Sequence, residues 1–200
     1  MSINVCNDRS MASITSLPSG VSGSSLVLIS EQTASSSANI TFDSDIDSTY
    51  KEYVFKFINC HPATNNVNFQ VNFRDGGSSY DATKTTTFFS AYHNEADGTT
   101  NLGYVGSSDL AQATGVQPLS TGVGNDNDQC IAGTLHLFNP SSTTFVKHFI
   151  ATTNISEQSD FTENSYIAGY CNVTAAINGV QFSFSSGNID SGTIKMYGVV

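Results

Sequence analysis

The strictest alternation in the chain is Val67-Asn-Phe-Gln-Val-Asn-Phe73, in which each apolar residue is separated from the next by a polar one. A period of two places the apolar side chains on one face of an extended strand and the polar ones on the other. Residues 50–59 repeat the pattern, with Tyr53, Phe55 and Phe57 predicted to share the buried face. Because one polar face is typical of antiparallel sheets, both stretches favour an all-β fold.

Eight further stretches are predicted to be strands, because they are β-prone and are bounded by turn residues. They are residues 24–30, 39–42, 85–92, 130–138, 145–152, 166–176, 180–184 and 193–199. Many short strands separated by turn signals predict an antiparallel sandwich or barrel of about eight to ten strands. Asn178-Gly179 predicts a two-residue hairpin between two of them, and residues 107–114 are predicted to form a short helix.

The chain is predicted to hold one sandwich domain, residues 24–200, preceded by an irregular arm at residues 1–23. The arm contains Ser-Leu-Pro-Ser-Gly-Val-Ser-Gly at residues 16–23, which is rich in turn formers. Residues 93–129 are polar, glycine-rich and longer than an ordinary connection, so they are predicted to be one long functional or interface loop.

Composition excludes several classes of protein. Charged residues make up only 12% of the chain, and Ser, Thr, Asn and Gly replace them, which disfavours a helical bundle. Aromatic and β-branched residues are too abundant for a disordered chain. With 7 basic and 17 acidic residues the net charge is −10, so neither nucleic acid nor an anionic membrane is expected as a partner.

The cysteines and the first residues bear on where the chain is made. Cys6, Cys60, Cys130 and Cys171 form no Cys-x-x-Cys pair and are predicted to be reduced. The first residues lack a basic start followed by an apolar stretch, so no secretory signal is predicted. The chain is expected to be made in a cytoplasm.

Two acidic stretches are candidate calcium sites. Asp126 and Asp128 stand two residues apart in a polar loop and are the predicted metal ligands, with a solvated turn as the alternative. Asp43, Asp45 and Asp47 also alternate, but the glycine and glutamate that an EF-hand requires are missing, so an acidic strand edge is favoured there. No other cofactor is predicted.

Histidine spacing gives no zinc motif. The chain has no His-Glu-x-x-His and no His-x-His pair. His136 and His148 lie in predicted strands and are possible neighbours across a sheet, with hydrogen-bonded structural histidines as the favoured alternative.

No catalytic motif is present. The chain has no Gly-x-Ser-x-Gly elbow, no phosphate-binding loop and no dinucleotide-binding glycine pattern. A pair of carboxylates for glycoside hydrolysis is defined by spacing in three dimensions, which a sequence does not give. The chain is predicted not to be an enzyme.

The last stretch, Phe182-Ser-Phe-Ser-Ser-Gly-Asn-Ile-Asp-Ser-Gly-Thr-Ile-Lys-Met-Tyr-Gly-Val-Val200, resembles the closing strands of virion proteins from tailed bacteriophages. Tyr-Lys-Glu-Tyr-Val-Phe-Lys-Phe-Ile-Asn at residues 50–59, together with residues 68–80, is similar to the same group. The two stretches cover about a quarter of the chain.

The resemblance implies a jelly-roll sandwich that works in the virion as a structural protein. It implies a capsid decoration, or cement, protein that associates with itself, often as a trimer, and contacts the major capsid protein. A tail-associated protein of the same particle is the alternative. The resemblance implies no catalytic residues, because the shared pattern is structural.

The second hypothesis is a receptor-binding or carbohydrate-binding sandwich. Such modules stack sugars on exposed aromatic rings and use calcium, and Tyr80, Tyr92, Tyr104, Asp126 and Asp128 are the candidate residues here. The absence of tryptophan argues against this hypothesis.

Overall fold

The computed structural model describes residues 25–200, which form twelve strands and, within that range, no helix. The strands are β1 (Leu26–Ser37), β2 (Ile40–Phe42), β3 (Glu52–Pro62), β4 (Phe69–Arg74), β5 (Lys84–Asn94), β6 (Thr100–Tyr104), β7 (Gln117–Pro118), β8 (Ile131–Phe138), β9 (Lys147–Glu157), β10 (Phe161–Cys171), β11 (Gly179–Phe184) and β12 (Ile189–Val199). They form two antiparallel sheets, which confirms the predicted all-β sandwich. The predicted arm, residues 1–23, lies outside the described residues.

The two sheets differ in size, and their strand pairs fall into two groups. The larger sheet has eight strands in the order β1-β12-β3-β8-β9-β10-β5-β6, and the smaller has four in the order β2-β11-β4-β7. Four of the pairs are nested along the chain: β1 with β12, β2 with β11, β3 with β8, and β4 with β7. The remaining strands are two hairpins, β5–β6 and β9–β10, which extend the larger sheet beyond β8. We call these four strands the extension.

A cluster of phenylalanines joins the two sheets. Phe182 of β11 lies with its ring centroid 5.0 Å from that of Phe57 and 5.5 Å from that of Phe55, both on β3. Within its own sheet it contacts Phe42 and Phe69 at 6.3 and 5.9 Å. The five rings are almost completely buried, so this cluster is the centre of the core.

The alternating stretches behave as predicted. Tyr53, Phe55 and Phe57 all face the core, and the apolar residues of 67–73 are buried. Lys56 and Ile58, on the opposite face of β3, are partly or largely exposed. Here the apolar period directly reports which face of the strand is buried.

The predicted loop at 93–129 is wrong in part, because it contains β6 and β7. β6 has no buried side chain and β7 has only two residues, so neither gives an alternating apolar signal. Residues 105–124 then lie along the inner side of the extension, where Leu119 and Val123 are completely buried. The backbone N–H of Thr86 donates to Leu110, and that of Lys84 donates to Ala113. We call residues 105–124 the covering segment.

Two local predictions are also wrong. Residues 107–114, predicted as a helix, are irregular and are held by backbone bonds to β5. Asn178-Gly179 is not a hairpin turn, because β10 and β11 belong to different sheets. Asn178 instead binds Arg74: the Nε–H group of Arg74 donates to Asn178 Oδ1 at 3.0 Å.

Gly192 lies within β12. It stands at a register shift against β3, with φ +122°, and a Cβ there would lie 2.6 Å from Cys60 Cα. Only glycine combines this conformation with such close approach of two backbones.

We expect Phe182→Ala to lower the free energy of unfolding by about 3–5 kcal/mol, because it removes a ring buried against four others and leaves a cavity. Gln181→Ala, on the partly exposed face of the same strand, is the matched control and is expected to cost less than about 1 kcal/mol. Urea unfolding followed by circular dichroism measures both. Equal losses for the two variants would show that the phenylalanine cluster does not hold the sheets together.

Candidate functional site

The predicted calcium ligands lie on an exposed turn. The turn closes through the backbone N–H of Gln129, which donates to Asp126 O at 2.8 Å, and through Asp126 N, which donates to Gln129 Oε1 at 3.1 Å. Both Asp126 and Asp128 are exposed. Within residues 25–200, no three side chains of His, Cys, Asp or Glu are grouped closely enough to hold a metal ion. Calcium binding at this turn stays a prediction.

The alternating aspartates at 43–47 have separate partners. Asp43 lies 4.0 Å from the Arg74 guanidinium. Asp47 accepts from the backbone N–H of Thr49 at 2.8 Å and contacts the Tyr53 hydroxyl at 3.2 Å. The Thr49 bond is the main cause that lowers the pKa of Asp47. Residues 43–49 form an irregular loop between β2 and β3, so the predicted acidic strand edge is an acidic loop in which Asp43 and Asp47 have different partners.

His136 and His148 lie on adjacent strands, β8 and β9, but each has its own partner. Nδ1 of His136 is 2.6 Å from Glu52 Oε1, and its ring stacks on Phe138. The His148 ring packs edge-on against Tyr170, with centroids 5.9 Å apart. These contacts agree with the structural alternative.

The three candidate tyrosines do not form one platform. Tyr80 lies under the Arg74 guanidinium, 5.6 Å from ring centroid to charge. Tyr104 is on the outer side of the larger sheet and donates its hydroxyl proton to Asp109. Only Tyr92 lines a cavity of substantial size. The three tyrosines therefore have different surroundings, and a sugar site that combines them with Asp126 and Asp128 stays a prediction.

A cavity of about 620 Å³ lies on the inner side of the extension, between β10 and the covering segment. We call it the inner cleft. Its lining includes Tyr92, Thr121, Gly122, Glu157, Phe161 and Glu163. No lysine, arginine or histidine lines it.

Glu163 is the most buried acid in the inner cleft. Its Oε1 accepts from the Thr121 hydroxyl at 2.8 Å and from the Ser165 hydroxyl at 3.0 Å. Burial raises the pKa of Glu163, and the Glu157 carboxylate raises it further, while the two hydroxyl bonds act in the opposite direction. The carboxyl group therefore gains a proton more easily than an exposed glutamate does.

Glu157 lies against Gly122 at the floor of the inner cleft. A Cβ on Gly122 would be 2.9 Å from Glu157 Oε1 and 3.3 Å from Asn66 Oδ1, and Gly122 has φ +66°. Glycine is needed here both for its backbone conformation and for space. The other oxygen, Oε2 of Glu157, accepts from the backbone N–H of Ser159 at 2.7 Å, which fixes the carboxylate.

Two aromatic rings form the apolar wall of the inner cleft. Tyr92 and Phe161 are partly exposed and meet edge to face, with centroids 5.4 Å apart. The cavity thus combines an aromatic wall with two carboxylates, amides and hydroxyls, which is a common composition for small-molecule sites.

The outer side of the larger sheet carries a second functional candidate. One cross-strand row runs through all eight strands from β6 to β1, through Tyr104, Phe89, Tyr166, Thr152, Thr134, Lys56, Lys195 and Glu31. The row is aromatic at the extension and charged at the other end. Phe89 and Tyr166 stack with centroids 4.9 Å apart, although each remains more than 40% exposed.

The outward positions on β8 and the extension include no Asp, Glu, Lys or Arg. We call this part the uncharged outer face. It also presents Ile150, 50% exposed, and Leu102, 69% exposed. In a chain of net charge −10 the strands of this surface carry no carboxylate of their own, and the Asp109 and Glu52 carboxylates border it through Tyr104 and His136.

The buried ionisable groups at the other end of the extension are structural. Cys171 pairs with Lys84 of β5 and with Lys147 of β9. Both lysines are completely buried; Lys84 Nζ donates to Asn72 Oδ1, and Lys147 Nζ donates to the Val173 carbonyl. Burial lowers the pKa of Lys84 to about 8 and raises the pKa of Cys171 to about 12. A thiol with that pKa is protonated at neutral pH and is a poor nucleophile.

Cys60, Cys130 and Cys171 are free thiols.

Comparisons with family models, with curated proteins and with solved structures found no match to this chain.

Sequence reasoning missed the inner cleft because its inward-facing residues are polar. Glu163 and Ser165 lie on the same face of β10 as Ile167. Because these two residues are polar, the apolar alternation begins only at Ile167, and the predicted strand begins at residue 166 instead of Phe161. The sequence did contain one signal for this cleft. Glu163 and Ser165 stand at alternate positions before Ile167, so they continue the alternation of buried positions along β10. Their partner, Thr121, comes from the covering segment and is remote in sequence.

We expect the stability of the protein to fall as the pH rises from about 4.5 through the raised pKa of Glu163. The folded state holds the Glu163 proton more tightly than the unfolded state, so ionisation favours unfolding. Glu163→Gln keeps an acceptor for Thr121 and Ser165 but does not titrate. Its stability relative to the native chain should therefore increase between pH 4.5 and 7.5.

Urea unfolding at both pH values measures this difference. Glu95→Gln, which neutralises an exposed carboxylate, controls for the change in net charge. If native protein and Glu163→Gln show parallel dependence on pH, the raised pKa is wrong.

Proposed function

We propose that this chain is a structural protein of a tailed-bacteriophage virion, and specifically a capsid decoration protein that associates with itself, as a trimer, and binds the major capsid protein. A tail-associated role in the same particle is the alternative. The role is non-catalytic, and neither nucleic acid nor membrane is a partner.

The strand order supports a jelly-roll architecture. Without the extension, eight strands remain in two four-stranded sheets, β1-β12-β3-β8 and β2-β11-β4-β7. First pairs with last, second with second-last, third with sixth and fourth with fifth, as expected for one long antiparallel ribbon rolled into a sandwich. Viral capsid domains use double-sheet jelly rolls of eight strands, although other proteins share this fold.

The uncharged outer face is the main support for the proposal that copies of this chain associate. It is a continuous surface of five strands, with exposed aromatic and aliphatic side chains and no formal charge from Asp, Glu, Lys or Arg. We assign its occupant as a second copy of this chain. Two acidic copies meet with least repulsion where neither presents carboxylates, and burial of the rings supplies the attraction.

The size of the face fits a contact within a lattice. Five strands at about 4.8 Å spacing and about 30 Å of average strand length give roughly 700 Å². Stable pairwise interfaces bury about 800 Å² on each partner. One such contact therefore approaches the size of a standard interface, and the several contacts that a subunit makes on a shell would reinforce it.

Basic residues support the exclusion of nucleic acid. Of the six Lys and Arg side chains in residues 25–200, Lys84 and Lys147 are completely buried. The others, Lys51, Lys56, Arg74 and Lys195, are too few for a phosphate-binding surface, and Lys195 is paired with Glu31 at 3.0 Å.

We expect Tyr166→Glu to weaken self-association at least about tenfold, because it places a charge opposite the same face of another copy. Phe145→Glu is the matched control: it makes the same charge change at an aromatic residue that is 70% exposed but lies outside the sheet. Sedimentation equilibrium over a wide concentration range measures the association. Binding to purified shells, or to purified tails, distinguishes the two virion locations.

A native chain that stays monomeric at every concentration and ignores virion particles would contradict the proposal. Equal association of Tyr166→Glu and native protein would show that copies meet through another surface.

A further inference from the structure

We propose that the inner cleft is a binding site for an uncharged saccharide. This proposal goes beyond the assembly role and does not depend on it, because the inner cleft and the uncharged outer face lie on opposite sides of the extension.

The polar groups of the cleft are rich in acceptors. Ionised Glu157 and Glu163 accept hydrogen bonds only, and the amides of Asn66 and Asn68 add a carbonyl oxygen and an NH₂ group each. Sugar hydroxyls are the complementary donors, and bonds from hydroxyls to carboxylates are stronger than those between neutral groups. Glu157 is held in place by the Ser159 backbone and the Gly122 turn, so little order has to be created on binding.

The aromatic wall matches the apolar face of a sugar ring. A pyranose has an apolar face of C–H groups beside its ring of hydroxyls. Phe161 and Tyr92 offer partly exposed rings beside the two carboxylates, so apolar and polar contacts are available together.

The charge of the cleft selects among sugars. Burial is the main cause that raises the pKa of Glu163, the Glu157 carboxylate raises it further, and no cationic side chain lines the cavity. A uronate, sialate or sulfated sugar would add a third negative charge in a partly buried space. The site is therefore specific for uncharged sugars.

The test titrates the full chain with three uncharged oligosaccharides, lactose, maltotriose and chitobiose, and with digalacturonate as the charged counterpart. Saturation-transfer NMR detects contact, and calorimetry gives the affinity. We expect saturable binding of at least one uncharged sugar, no saturable binding of digalacturonate, no effect of EDTA, and recovery of the sugar intact.

Variants locate the site. Phe161→Ala and Glu157→Gln should each weaken binding by about tenfold or more, through loss of the ring contact and of a charged acceptor. Phe145→Ala and Glu31→Gln change the same residue types outside the cleft and should bind as the native chain does. If Phe161→Ala fails to fold by circular dichroism, Glu157→Gln decides the outcome.

The proposal is overturned if no uncharged sugar gives a saturable signal, if digalacturonate binds equally well, or if the folded cleft variants keep native affinity. Loss of binding in EDTA would also overturn it, because a metal rather than the cleft's side chains would then hold the sugar. Hydrolysis of the sugar would contradict a site that only binds.

Discussion

The contact between Phe182 and the phenylalanines of β3 is the constraint on which the molecule depends. It presses the four-stranded sheet against β3 and its neighbours, and this fixes which face of the larger sheet is internal. Every outward position then follows from the antiparallel register, since paired residues face the same side. The aromatic row on the outer side and the polar residues of the inner cleft are both consequences of this one choice of face.

The extension gives the sandwich its functional surfaces. The two hairpins add four strands to the larger sheet without adding strands to the smaller one. Their outer side has exposed rings and no formal charge, while their inner side is lined by the covering segment, which includes β7 of the smaller sheet. Leu119 and Val123 of this segment are completely buried, and polar groups line the inner cleft. The two hairpins therefore contribute to both the uncharged outer face and the inner cleft.

Sequence alone predicted those strands whose buried face is apolar throughout. Residues 67–73 and Tyr53, Phe55 and Phe57 were assigned correctly because burial and hydrophobicity coincide there. Prediction failed where an inward residue is polar, as at Glu163, or where a strand buries nothing, as in β6. It also failed at Asn178-Gly179, where a turn-forming pair connects two sheets. For Glu163 and Asn178 the deciding partner is remote in sequence, so local periodicity does not contain the information. For β6 the partner is near, but a strand without buried side chains gives no apolar alternation.

We propose that copies of the chain meet through the uncharged outer face. Hydroxyl-radical footprinting of the full chain, free and assembled on particles, tests this contact residue by residue. We expect Phe89, Tyr104 and Tyr166 to lose reactivity on assembly, while Phe145, which is 70% exposed and lies outside the sheet, keeps its reactivity. Unchanged reactivity of those three rings in an assembled sample would contradict it.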